Sequence, residues 1–177
     1  MTLTLVRHGE VIESYQGKYN GHIDIGLSQR GYGQVKVLKE HLSSIKFDKI
    51  YCSDLRRAKE TLTTLELAQK VIFTPRLREK SWGRHEGKSF VQIEAEGLKY
   101  ENFSQWIDAL DGEDMQEYIE RIDNYFKEVI FKQNAQNILI VTHSGVIKTL
   151  LHLKKNISLE EAFSTHLPYS SFIILEL

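Results

Sequence analysis

The chain predicts an α/β fold: a three-layer α/β/α sandwich around a mostly parallel central sheet, with a small cap over the C-terminal ends of the strands. Three observations predict it. Short apolar runs alternate with segments of helical periodicity, the arrangement that builds a parallel sheet covered on both faces. Three of those runs are β-branched and almost free of polar residues, as strands buried on both sides are. One stretch, about 81–111, breaks the alternation with Trp82, Gly83, Gly87, Gly97 and Trp106, and reads as an excursion over one end of the sheet.

The strand-like runs are Thr2–Val6, Lys49–Cys52, Val71–Thr74, Ile138–Thr142 and Ser171–Leu175. Ser28 is expected to cap a helix whose apolar stripe is Val35, Leu38, Leu42 and Ile45. Asp54 is expected to cap the next, which should run to about Gln69. Asp114 with Glu117 reads as a capping box. Behind it Met115, Ile119, Ile122, Phe126, Val129 and Ile130 recur at helical spacing. A helix is expected from Val146 to Leu153, and Ser158 should cap a short last one. Both prolines, Pro75 and Pro168, fall between elements.

At 177 residues the chain is expected to form a single domain over 1–177, with a core of its own. A net charge of −1 argues against a nucleic-acid partner or an anionic membrane surface, either of which asks for a basic face. The single cysteine, Cys52, excludes an intramolecular disulfide and reads as a small buried residue. No apolar run is long enough to span a bilayer. The first strand begins almost at once, without a charged region and signal core before it, so a cytoplasmic protein is expected.

Two apolar runs end in histidine. Arg7-His8-Gly9-Glu10 follows the first, and His143-Ser144-Gly145 follows the fourth. Ligands of open α/β sheets bind beyond the carboxyl ends of the strands, so both histidines are expected in one site. Arginine beside histidine points to anion chemistry, with the positive charge keeping the imidazole neutral. Phosphate is the leading ligand. The helix starts after Asp54 and Ser144 offer N–H groups to an anion, and Arg57 lies in a first helical turn where its fork could meet phosphate oxygens.

The motifs resemble the histidine phosphatases of the phosphoglycerate mutase-like superfamily. Five blocks carry the resemblance: Leu5-Val6-Arg7-His8-Gly9-Glu10; Gly21-His22-Ile23-Asp24-Ile25-Gly26-Leu27-Ser28; Ser53-Asp54-Leu55-Arg56-Arg57-Ala58; Leu77-Arg78-Glu79 with Gly83 and Glu86-Gly87; and Val141-Thr142-His143-Ser144-Gly145. They fall in the family's order across nearly the whole chain. The resemblance implies a phosphohistidine enzyme without metal or other cofactor, acting on a small phosphorylated metabolite. It makes His8 the nucleophile and sets Arg7, Arg57 and His143 around the phosphoryl oxygens. Glu79 becomes the acid and then the base, in competition with Glu86 and Glu10. Asn20, Gly21 and Ser144 are expected to face substrate. His22 either does so or caps its loop. Arg56 is expected to point to solvent, His41, His152 and His166 to be structural or exposed, and His85 is left unassigned. Val11, Ser14 and Asn20 depart from common family residues and leave the substrate open.

Among small members the chain is most similar to the α-ribazole phosphatases of cobalamin nucleotide-loop assembly. The residues behind this are Tyr19-Asn20-Gly21-His22, the compact cap with Trp106, and Gly112-Glu113 before a helix carrying Arg121. Trp82, Trp106, Phe90, Phe103 and Tyr100 are candidates to stack on a planar base or to pack the cap. The alternatives are a broad-specificity small-molecule phosphatase, a phosphoglycerate mutase, and a non-catalytic phosphate-binding module. The sequence leaves the oligomeric state open.

Overall fold

The computed structural model describes residues 1–177. Its sheet has five strands, β1 (Thr2–Arg7), β2 (Lys49–Ser53), β3 (Val71–Thr74), β4 (Asn137–Thr142) and β5 (Phe172–Glu176), in the order β3-β2-β4-β1-β5. The first four pair in parallel, and β5 runs antiparallel to β1 along one edge. Alternation within the strands shows why their central residues are mostly apolar. Leu3, Leu5, Tyr51, Ile138 and Ile140 point into one core, while Val6, Ile50, Cys52, Leu139 and Val141 point into another. Each strand must therefore satisfy two apolar layers. The edge strand β3 is relieved of this, and Ile72 and Phe73 are exposed.

Two helices cover the second core. α1 (Gln29–Leu42) starts where Ser28 accepts a hydrogen bond from the Gly31 N–H, and it buries Val35, Leu38 and Leu42. α2 (Arg56–Leu65) differs from the sequence reading. Leu55 is its N-cap, and it ends in a left-handed residue at Glu66, short of Gln69. Asp54 does not cap it because its carboxylate is taken by Arg78 at 2.6 and 2.7 Å. Asp24 caps from a distance instead, accepting from the Arg56 N–H at 2.6 Å.

The other core is covered by the chain between β3 and β4 and by the last helices. α3 (Phe90–Glu94) opens on a reciprocal box between Ser89 and Gln92 that the sequence reading missed, and α4 (Phe103–Ala109) is capped by Asn102. α5 (Met115–Tyr125) is capped by Asp114, which accepts from the Gln116 and Glu117 N–H groups; no return bond from Glu117 completes a box. The apolar stripe continues, but Phe126–Ile130 forms a π turn that buries both of its end residues. α6 (Ser144–Lys155) and α7 (Leu159–Ser164) follow, with Ser158 accepting from Glu161 at the start of α7. Ile93, Trp106 and Ile107 of the 81–111 stretch join the same apolar cluster as Leu3 and Ile140, so the cap packs on the sheet core without a seam. No helix is long and apolar enough to cross a membrane.

The parallel register aligns Arg7 with Thr142, and the His8 N–H donates to the Thr142 carbonyl at 3.0 Å. His8 and His143 thus leave neighbouring strands at the same level. Helix α1 presses on the loop after His8: a Cβ on Gly31 would lie 2.2 Å from the Glu10 carbonyl oxygen, whereas one on Gly33 would meet nothing within 4 Å. Gly31→Ala should therefore destabilise the protein by about 1–3 kcal/mol through overpacking. Gly33→Ala, on the exposed face of the same helix, should stabilise it by about 0.5–1 kcal/mol. Chemical denaturation of the two variants checks the contrast.

Candidate active site

His8 is built as a neutral base. Its Nδ1 lies 2.8 Å from the Gly9 carbonyl, an acceptor only, so Nδ1 carries the proton and Nε2 keeps its lone pair. The ring is buried. Burial first, then the charges of Arg57 and Arg7, hold its pKa well below the usual histidine value. The Gly9 N–H donates to Thr61 on α2 at 2.9 Å, which ties the strand end to the helix carrying Arg57.

Arg57 is 2% exposed although it bears a charge. Each of its three nitrogens gives one N–H to the protein: Nη2 to the Gly21 carbonyl at 2.7 Å, Nη1 to the Ile23 carbonyl at 2.8 Å, and Nε to His143 Nδ1 at 3.2 Å. Because Nε donates, His143 Nδ1 accepts, and the proton sits on Nε2, which donates to Ser53 Oγ at 2.8 Å. Burial and then Arg57 depress the His143 pKa as well. The two imidazoles meet edge to face with centroids 5.1 Å apart. Arg7 lies over Tyr169, 4.0 Å from the ring centroid, and donates to the Leu167 carbonyl. Arg56 points outward and pairs with Glu60 at 2.6 Å, as the helical register requires.

Glu79 lies between the cap and α6. Its Oε2 accepts from the Gly145 N–H at 2.9 Å. The carboxylate therefore occupies the anion position at the start of α6, as Asp24 does at the start of α2. The sequence reading left both helix ends free for phosphate; each is instead filled by a carboxylate of the chain itself. Only an unsubstituted residue 145 allows this, since a Cβ there would sit 2.0 Å from Glu79 Oε1 and 2.9 Å from Tyr118 Oη.

These groups face a cavity of about 210 Å³ lined by Arg7, His8, Arg57, Glu79, Ser144 and Gly145, together with Asn20, Gly21, Trp82 and Tyr169. His143 does not line it; it backs the wall through His8 and Arg57. His22 does not line it either, and its bonds are those of the loop-capping alternative. Its ring bonds the Glu79 carbonyl at 2.9 Å and its N–H donates to Glu86 at 2.8 Å, so it fastens the 20–22 loop. The rival carboxylates have other work. Glu86 Oε1 also accepts from the Trp82 N–H at 3.2 Å, and Glu10 accepts from Ser28 at 2.9 Å. His85 is fully buried in the cap, where its Nδ1 accepts from the Asp111 N–H at 2.9 Å. His41 and His152 bond backbone carbonyls of their own segments, and His166 lines a neighbouring depression. Val11 is buried in a bridge to Leu27, and Ser14 is exposed.

Of the five cap aromatics, Trp82 alone reaches the cavity. Trp106 packs between Phe90 and Tyr100 at 4.7 and 4.8 Å, and Phe103 packs on Phe163 at 5.6 Å. Sequence reasoning missed Lys18, Tyr19, Lys148, Phe163 and Tyr169 as lining residues. For Lys148 a signal existed: it follows Ser144 by one helical turn, so both share a face. Cys52 is buried with its thiol pushed up by burial, as a structural residue should be. No group of three or more His, Cys, Asp or Glu side chains is placed to hold a metal ion.

Two expectations follow from this geometry. Gly145→Ala should displace Glu79 and lower turnover at least tenfold, with the thermal midpoint falling by only a few degrees. Circular dichroism and steady-state rates on one preparation check it. The His8 pKa is depressed, so its ring should stay neutral as pH falls through about 6.5 and become charged only below that. A histidine Cε1–H titration of the free enzyme should give His8 a midpoint under 6.5; Arg57→Ala should raise it, and Arg56→Ala should leave it unmoved.

The chain matches the histidine phosphatase superfamily (branch 1) over residues 3–177. It is 32% identical over 161 residues to an adenosylcobalamin/alpha-ribazole phosphatase of Escherichia coli (strain K12), covering 85% of this chain and 77% of that one. It is 28% identical over 186 residues to phosphoserine phosphatase 1 of Hydrogenobacter thermophilus (strain DSM 6534 / IAM 12695 / TK-6), covering 99% of this chain and 86% of that one. Among solved structures, the alpha-ribazole phosphatase from Shigella flexneri superposes with a TM-score of 0.86 at 29% identity, covering 100% of this chain and 91% of that one. The match along the sequence and the shared fold make this chain a member of branch 1 of the histidine phosphatase superfamily, and a phosphatase.

Proposed function

We propose that the enzyme hydrolyses α-ribazole 5′-phosphate through a phosphohistidine at His8. One observation carries the mechanism: a neutral imidazole with a free Nε2, held in the cavity wall beside two guanidinium groups. His8 Nε2 attacks phosphorus while Arg7 and Arg57 balance charge spreading onto the phosphoryl oxygens. His143 supports Arg57 from behind. Glu79 protonates the departing ribose oxygen, then takes a proton from the water that attacks the phosphohistidine. Asn20, Gly21 and Ser144 line the same cavity and would contact the substrate.

The leaving group is argued from the relatives' named substrate and from the cavity wall. Trp82 and Tyr19 meet at 5.1 Å on one part of it, and Phe163 and Tyr169 form another. A flat base fits between apolar walls of this kind. A second reading, hydrolysis of phosphoserine or another small phosphorylated acid, has its own observation. Lys18 and Lys148 line the cavity and neither forms an ion pair, so they could meet an anionic group on the leaving alcohol. A cytoplasmic setting goes with either reading.

Specificity constants for α-ribazole 5′-phosphate, phosphoserine, 3-phosphoglycerate and nucleoside monophosphates test the choice. A preference of tenfold or more for α-ribazole 5′-phosphate, about 1.4 kcal/mol in the transition state, is expected. A tenfold preference for phosphoserine would favour the second reading. In either case His8→Ala should remove turnover, and Glu79→Gln should lower it by about 10²–10⁴. EDTA should leave the rate unchanged.

A further inference from the structure

Glu79 is held from three sides. Tyr118 Oη donates to Oε1 at 3.0 Å, the Lys80 N–H donates to the same oxygen at 3.0 Å, and the Gly145 N–H donates to Oε2 at 2.9 Å. A carboxylate offers about four acceptor positions, two on each oxygen. Both positions on Oε1 are filled, and one remains on Oε2. We infer that Tyr118 is a positioning residue that selects the atom of proton transfer: with Oε1 occupied, the proton that Glu79 delivers sits on Oε2. The inference rests on the reading of Glu79 as the acid.

Tyr118 is itself fixed. It is fully buried on α5. The Arg121 guanidinium lies 5.0 Å from its ring centroid, one turn along the helix. Arg121 grips Glu113 at 2.7 and 2.8 Å and donates to the carbonyls of Arg76 and Arg78 at 2.9 and 3.2 Å. The phenol and the segment that carries Glu79 therefore belong to one hydrogen-bonded unit. Burial, and then the nearby Glu79 charge, push the phenol's pKa well above its usual value, so it stays a donor.

Before the first step a proton from solvent sits on the open position of Oε2, the one position that the three donors leave. In the first step the His8 Nε2–P bond forms and the ester P–O bond breaks. The bonding pair stays on the leaving oxygen, which takes the proton from Oε2. In the second step Oε2 accepts a proton from water as the water oxygen bonds phosphorus, and the N–P pair returns to His8. Removing the phenol oxygen opens a position on Oε1, where a proton would face α5 and not the substrate.

The test is Tyr118→Phe, which keeps the ring, compared with Glu79→Gln across the phosphomonoesters that the wild-type enzyme hydrolyses, ordered by leaving-alcohol acidity. For Tyr118→Phe the expected kcat loss is about tenfold with alkyl alcohols and under twofold with the most acidic phenols, with KM unchanged. The acidic phenols also serve as the control for folding, because a damaged fold lowers every rate equally. An equal loss across the series, or no loss, overturns the inference about Tyr118 provided that Glu79→Gln shows the leaving-group trend. If Glu79→Gln shows no such trend, the acid reading itself fails and takes this inference with it.

Discussion

One buried guanidinium organises the site. Arg57 is withdrawn from water without a carboxylate within bonding distance, a costly arrangement unless its nitrogens find acceptors. Two backbone carbonyls and one imidazole each take one N–H, which leaves one N–H on each terminal nitrogen for an anion. Each contact has a second consequence: the carbonyls fix the 21–23 loop at the cavity rim, and the imidazole is set in the tautomer that reaches Ser53. Burial first, and then this uncompensated charge, lower the pKa of both His8 and His143. In the proposed reaction a phosphoryl dianion is the partner for this charge, so binding energy and activation of His8 would share one source.

Backbone geometry makes that arrangement possible. The strands β1 and β4 are parallel and in register, so their carboxyl ends deliver two histidines to one place. The helix α2 is anchored to the end of β1 through Thr61, which brings Arg57 between them. On the far side, Glu79 replaces an external anion at the start of α6, where partial positive charge favours a carboxylate. The cap then closes over this frame with Trp82 against Tyr19, and Trp106 donates to the Tyr19 hydroxyl at 2.9 Å. In the proposed reaction the leaving group would lie toward the cap, and the phosphoryl group toward the strand ends and α2.

The parts legible in the sequence were those set by local pattern. Strand ends could be read because Leu3 to Val6 is interrupted only by Thr4 and Ile138 to Val141 by nothing polar, and Ser28 and Ser158 cap the helices they precede. The separation of Arg56 from Arg57 followed from helical register alone. Misreadings came where a partner arrives from far along the chain. Asp54 looks like a cap until Arg78 claims it, and Asp24 takes its place. His22 could be read two ways, and only the distant Glu79 and Glu86 show it fastening its loop. Tyr118 and Tyr169 carry no sequence signal, since a tyrosine behind a helix cap or after a proline is ordinary until the fold sets it against Glu79 or Arg7.

The central claim is that His8 carries the phosphoryl group. Rapid acid-free quenching during turnover, followed by mass spectrometry of the peptide containing residue 8, tests it most directly. The account predicts a phosphoramidate on His8, stable in alkali and lost in acid, that forms and decays at least as fast as the steady-state rate. Turnover with no phosphoryl group on His8, or with the group on His143, would contradict it.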